Sequence, residues 1–221
     1  MVNKLSYDQK NAKAQQIKDA AWQLFTEQAF DNISIAMIAQ TAHVGKGTIF
    51  NYFKTKEDVF MALLLGGYQK YFAEVLMRLE ASDVTTKAAL KEFLLAETHT
   101  LITEHATLIR LNSLRGAQLE VHASQEQTEN SRQELHTIHE HLGQAIATKV
   151  PKLDAMKISH IFVIQSAIIN GLMNLDGLDE FNHVGVNANL PIFQIKLVPE
   201  ACQILGYYID GILMEESNEN Q

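Results

Sequence analysis

The stretch TAHVGKGTIFNYF, residues 41–53, sets Lys46 between two glycines, follows it with Thr48 and closes on Phe50, Asn51, Tyr52 and Phe53. Glycine, lysine and threonine side by side are the parts of a loop that wraps a nucleotide's phosphates in backbone N–H groups. The same residues at the start of a short helix would instead grip the phosphates of DNA, with Lys46 placed to read guanine and Asn51 to read adenine. Spacing separates the two chemistries. A nucleotide loop needs G-x-x-x-x-G-K-[ST] after a strand, but here Gln40 holds the place of the first glycine, Gly47 stands where the hydroxyl should be, and the preceding SIAMIAQTA has helical spacing. No ATP turnover is expected, and no catalytic residue is assigned.

A second constellation, HTIHEH at 136–141, puts His136, His139 and Glu140 on one helical face at a spacing that suits zinc or another divalent ion. No cysteine accompanies them and the zinc-peptidase pattern H-E-x-x-H is absent, so the simpler reading is a solvated or pocket-lining helix face. No metal and no cofactor are assigned. A metal-responsive sensor using His136, His139 and Glu140, or an all-helical carrier of a small ligand, is the alternative to DNA binding.

A reading helix has to be held by others. Ile17, Ala20, Ala21, Leu24 and Phe25 keep the three-four spacing of a helix with one buried stripe, predicted over 11–28. Ser34 then stands before Ile35, Ile38 and Ala39 as the cap of a second, short helix, with Ile33 and Ile38 spaced as a hydrophobic staple. After a turn at 43–45 a third helix is predicted over 46–53, with Val44, Ile49 and Phe53 inward and Lys46, Thr48, Asn51 and Tyr52 outward. Two short helices about a tight turn, the second polar on its outer face, fit a helix-turn-helix. Longer helices are predicted over 57–79, with Gly66 and Gly67 as its mid-point, and over 86–104, 106–115 and 118–149. Two apolar stripes follow, one through Ile161, Ile168, Ile169 and Leu172 and one through Val198, Cys202, Leu205 and Ile209, separated by an aperiodic connection at 177–191. They are too apolar to leave facing water and suit a dimer-forming bundle, with burial in the monomer's own core as the alternative.

The 221 residues include only three prolines and are 47% apolar, enough for a core and indicative of an all-α chain. The single cysteine, Cys202, has no partner for an intramolecular disulfide, MVNKLSYDQK is too polar for a signal peptide, and no apolar run is long enough to span a bilayer. A cytoplasmic protein is expected. The net charge of −8 argues against an acidic partner until it is divided: the first 60 residues hold seven lysines against six acids, and the remainder eleven bases against twenty acids. A near-neutral head on an acidic body can bind DNA where its lysines converge, since screening keeps phosphate contacts local.

The run AAWQLFTEQAFDNISIAMIAQTAHVGKGTIFNYFKTKEDVFMALL, from Ala20 to Leu64, resembles the DNA-binding region of the tetracycline-repressor (TetR) family. The resemblance rests on Ala20-Ala21 with Leu24 and Phe25, Ile38-Ala39, Val44, Lys46-Gly47-Thr48, the aromatic Phe50, Tyr52-Phe53 and Lys56-Glu57-Asp58. It implies an N-terminal three-helix helix-turn-helix domain (1–56), a larger C-terminal helical ligand-binding and dimerisation domain (57–214), and leaves 215–221 as a disordered tail. It also implies a ligand-responsive transcriptional regulator, a repressor by preference, whose partners are double-stranded operator DNA, a small-molecule inducer and a second copy of the chain. Carried over by position, phosphate contacts fall to Ser34, Thr48, Tyr52 and Lys56, and groove contacts to Lys46, Gly47, Phe50 and Asn51. The inducer pocket falls to the middle helices, where Tyr71, Phe93, His99 and Arg110 lie. Gly45 stands where serine is usual, and His43 and Ala29 where glycine is common; a positive φ at either of the last two would carry strain of about 1 kcal/mol.

Overall fold

A computed structural model of the chain describes residues 2–176 and 194–218. The connection read at 177–191 lies outside the described residues, as do 219–221 of the tail, while 215–218 continue the last helix. Among the described residues there are ten α-helices and no strand: α1 (Val2–Glu27), α2 (Ile35–Thr41), α3 (Lys46–Phe50), α4 (Lys56–Glu80), α5 (Lys87–Glu104), α6 (Ala106–Ser113), α7 (Glu120–His122), α8 (Gln125–Lys149), α9 (Ala155–Asp176) and α10 (Leu197–Asn218). A 3₁₀ turn (Phe30–Asn32) follows α1 and a π-helical turn (Arg115–Leu119) follows α6. The fold class is all-α. Two compact units divide the chain, Met1–Gly66 with Leu114–Arg132, and Gly67–Ser113 with Gln133–Gln221.

In the first unit, α1 begins nine residues before the predicted start, because no proline or glycine interrupts 2–10 and good helix formers need no apolar stripe to continue. Ser34 caps α2 by accepting the Met37 N–H at 3.3 Å, and both members of the staple, Ile33 and Ile38, are buried. Of the two positions where glycine was suspected, His43 has φ +50°, in the left-handed region, while Ala29 is extended at φ −66° and unstrained. α3 is three residues shorter than predicted. Its last turn tightens as the N–H groups of Asn51 and Tyr52 bond to Thr48 and Ile49 carbonyls three residues back.

The helix predicted over 118–149 is broken. Ala123 is extended, and the next N–H, of Ser124, donates to the carboxylate of Asp58 at 2.7 Å instead of to a helical carbonyl. Periodicity could not show this, since the partner lies 66 residues away.

The second unit is a bundle in which α5 and α9 both pack on α10, and α6 packs on α5 and α9. Here the C-terminal stripes are corrected. Ile161, Ile169, Leu172, Leu205 and Ile209 are buried within a single chain, Ile161 to 1% exposure and Ile209 to 0%, and Ile168, Val198 and Cys202 are half-buried. The buried five therefore face the monomer's own core, while the other three keep part of their surface accessible. Composition and length would let α9 cross a bilayer, yet it presents Gln165 to Thr98 of α5 and Ser166 and Asn170 to Asn112 of α6, the pairing of a core helix. α4 runs unbroken through Gly66 and Gly67. A methyl group on Gly67 would meet Leu108 at 2.6 Å, whereas one on Gly66 meets nothing within 4 Å.

Gly143 of α8 is the tightest approach, since an added Cβ would overlap the hydroxyl of Ser159 and the backbone carbonyl of Ala155. A carbonyl inside α9 cannot swing away. Gly143→Ala is therefore expected to lower stability by about 1–3 kcal/mol in urea unfolding. Gly66→Ala, in open space on a helix, should raise it by up to about 1 kcal/mol.

Candidate nucleic-acid interface

A helix of five residues is too short to persist alone, so α3 is held by what surrounds it. Ile49 is fully buried and Phe53, just beyond the helix, is nearly so. The turn before it is closed by the Val44 N–H on the Ala39 carbonyl at 3.0 Å. Gly45 is the N-cap, with its carbonyl accepting the Thr48 N–H at 2.8 Å and no side chain to add a second bond. Its φ of −67° suits any residue, so glycine here omits a cap without being required by the backbone.

The outward face is then fixed by helical geometry. Lys46, Gly47, Phe50 and Asn51 are exposed, with i,i+3 and i,i+4 spacings that put them on one side. Thr48 and Tyr52 are half-buried at its margins, and Ser34 is exposed at the start of α2. Phe50 leaves half of its surface in water. No atom lies within 4 Å of where a Gly47 side chain would begin, so the backbone N–H groups at the start of α3 can be approached closely.

Lys56 departs from the sequence reading. Its ammonium donates to the carbonyls of Phe30 at 2.9 Å and Ile33 at 3.0 Å and sits 3.8 Å over the Phe30 ring. Burial pushes its pKa below the ordinary lysine value. The group that looked free for a phosphate instead ties α4 to the 3₁₀ turn after α1.

Next to it, Asp58 is 2% exposed and accepts three backbone N–H groups, those of Lys54 and Thr55 at 3.0 Å each and that of Ser124 at 2.7 Å. The Asp58 N–H in turn donates to Thr55 Oγ1 at 3.0 Å, which completes a capping box at the start of α4. The pattern T-x-x-D at 55–58 is a sequence signal for that half of the arrangement. The other half, Ser124, has none. The segment it belongs to is braced by Glu120, which accepts from Arg132 at 2.6 and 3.0 Å and from Arg115 at 2.8 Å. These bonds, led by that of Arg132, hold the Glu120 carboxyl below its usual range.

In the second unit the predicted pocket residues differ in burial. His99 is exposed and Phe93 half-buried, while Arg110 is buried. Tyr71 is buried and donates its hydroxyl to the Glu97 carbonyl at 3.0 Å; burial raises its pKa well above the phenol range. Around the histidine face, as elsewhere among the described residues, no three ligating side chains converge. His139 turns inward, with its Nδ1 at 2.7 Å from the Leu135 carbonyl and its ring against Phe72 and Phe162. His136 stays outside, 3.4 Å from Glu140.

Comparison with known proteins gives this geometry a context. Residues 17–63 match the family described as "Bacterial regulatory proteins, tetR family", and residues 66–216 match "Tetracyclin repressor-like, C-terminal domain". The fatty acid metabolism regulator protein of Bacillus subtilis (strain 168) is 34% identical over 101 residues, a match that spans 46% of this chain and 47% of that protein, about half of each. Among solved structures, a TetR transcriptional regulator from Rhodococcus sp. RHA1 aligns with a TM-score of 0.58 at 16% identity, covering 94% of this chain and 98% of its own. The regulator FadR from Bacillus subtilis in complex with stearoyl-CoA aligns with a TM-score of 0.57 at 18% identity, covering 90% and 98%. At these identities the two structures establish a shared fold.

Two outcomes test the geometry. Asp58→Ala leaves three part-buried N–H donors without their acceptor and is expected to lower stability by about 1–3 kcal/mol in denaturant unfolding. Burial, with the nearby His136 adding to it, lowers the pKa of His139 from 6.5, so the unfolded chain takes up this proton more readily than the native state. The stabilising contribution is complete above that value and is lost as pH falls through the window below it. His139→Leu should flatten the decline of stability in this window, measured by thermal unfolding across pH.

Proposed function

The chain belongs to the TetR family of bacterial regulatory proteins, and on that premise we propose that it is a ligand-responsive transcriptional regulator, a repressor released from operator DNA by a small-molecule inducer. The observation that carries the reading is the outer face of α3, where a lysine, an asparagine and a half-exposed phenylalanine surround an unobstructed glycine. Lys46 donates to guanine, Asn51 pairs with adenine, and Phe50 meets a thymine methyl group. Ser34, Thr48 and Tyr52 donate hydroxyl hydrogen bonds to phosphates. Lys56 leaves that set and acts by holding the start of α4. Such a protein works in the cytoplasm, where the DNA is.

A homodimer would place two such helices in successive major grooves, about 34–36 Å apart. The face available for it lies opposite the buried stripes. On α10, Ile204, Tyr207, Gly211 and Met214 recur at helical spacing and are exposed, Tyr207 to 67%. Val163 and Gly171 do the same on α9. No atom lies within 4 Å of a side chain added at Gly171 or Gly211, so a partner helix can come close at both.

For the inducer, the relative named as a fatty acid metabolism regulator and the solved structure with stearoyl-CoA make a long-chain acyl-CoA the first ligand to test. The buried guanidinium of Arg110 among the apolar helices of the second unit suits such a ligand, with Tyr71 and Phe93 as further wall candidates. His99, on the outside, is withdrawn. A ligand lowers DNA affinity only as far as it prefers the body state in which the heads are misplaced. The chain passes between the units at 66/67, 113/114 and 132/133, and the second and third passages bracket Ser124 and its bond to Asp58.

The test is recovery of genomic fragments by the purified protein, followed by gel shifts. Lys46→Ala should lose about 1–3 kcal/mol of discrimination between a recovered fragment and mixed-sequence DNA. Tyr207→Asp should convert a sedimenting dimer to monomer. Protein that shows no salt-sensitive DNA affinity would instead support the small-ligand carrier.

A further inference from the structure

The first half of α1 carries lysines that the reading helix leaves unused. Lys10 and Lys13, one helical turn apart, line an open groove with Gln9, Ala12, Gln16 and Tyr52, and no acidic side chain lines it. Lys13 is not a loose surface lysine. Its ammonium donates to Gln16 Oε1 at 2.8 Å, and Gln16 Nε2 donates to the Ala42 carbonyl at 2.7 Å. Two bonds in series thus fix the charge to the turn between α2 and α3, the turn that also sets the direction of α3.

A free lysine side chain gives up rotamer entropy when it is immobilised. Here part of that ordering precedes binding, which favours whatever the ammonium meets. Tyr52 reaches the same groove from the end of α3, half-buried and with a phenol hydroxyl. Two lysines and a tyrosine lining one groove without a carboxylate offer a donor set for phosphate oxygens. Because Tyr52 belongs both to this groove and to the margin of the reading face, the phosphate that fits is one on the backbone of the duplex that α3 enters.

We propose that the groove of Lys10, Lys13 and Tyr52 binds a phosphodiester of the DNA flanking the bases read by α3, so that the extended start of α1 lengthens the footprint of the head. The proposal rests on the DNA-binding reading, and the test keeps the two apart. The full-length protein is titrated onto a labelled mixed-sequence duplex by fluorescence anisotropy over a salt series. Wild-type protein is expected to give a steep fall of log affinity with log salt, and Lys10→Ala/Lys13→Ala to reduce that slope by about one for each head bound, the one phosphate its groove neutralises. Lys10→Arg/Lys13→Arg should keep the slope, and so should Lys70→Ala, an exposed lysine of the other unit.

A double-alanine protein with wild-type helicity and a wild-type slope overturns the groove while leaving the α3 assignment in place. Wild-type protein without salt-sensitive affinity removes both. If inorganic phosphate shows phosphorus NMR broadening that depends on the two lysines while the DNA slope does not, the groove takes a free anion and the proposal fails.

Discussion

A five-residue helix has no stability of its own, and the head of this protein is organised around that constraint. α3 can hold Lys46, Phe50 and Asn51 outward only because Ile49 is buried and the chain on either side is fixed. On the upstream side the staple of Ile33 and Ile38 and the cap of Ser34 set α2, and His43 accepts a left-handed backbone to bring the chain round. On the downstream side two ionic groups, Lys56 and Asp58, hold the start of α4. Each is satisfied chiefly by backbone atoms, which a side-chain repacking cannot withdraw.

The half-buried Lys56 ammonium is thus paired with two carbonyls and the buried Asp58 side chain with three N–H groups. Removing a charge from water is costly unless hydrogen bonds replace those it loses, and both groups are supplied with several. The arrangement also makes Asp58 the link between two stretches of chain far apart in sequence. Whatever moves Ser124 acts on the same carboxylate that caps α4, four residues after the reading face ends at Tyr52.

Much of this was legible in the sequence. The short helices α2 and α3 announced themselves by a cap, a staple and an outward polar face, and Thr55 and Asp58 carry a capping-box spacing. What the sequence could not show is where an amphipathic or apolar stripe finds its partner. The stripe through Ile161, Ile169 and Leu172 has the same period whether it meets its own chain or a second one, and burial shows that it meets its own. Lys56 reads as a free cation because lysine usually is one; only the carbonyls of Phe30 and Ile33 at hydrogen-bond distance reassign it. His139, read as part of a solvated or pocket-lining face, is a packed aromatic neighbour of Phe72. The break before α8 depends on a contact between residues 58 and 124, which no local pattern encodes.

The central claim is that DNA meets the outer face of α3. Backbone amide shifts recorded by NMR, with and without a recovered genomic duplex, report this residue by residue. The largest shifts are predicted at 46–53 and at the start of α2 near Ser34, with the interior helices of the second unit little changed. Shifts confined to the second unit, or no shift at 46–53 with saturating duplex, would contradict it.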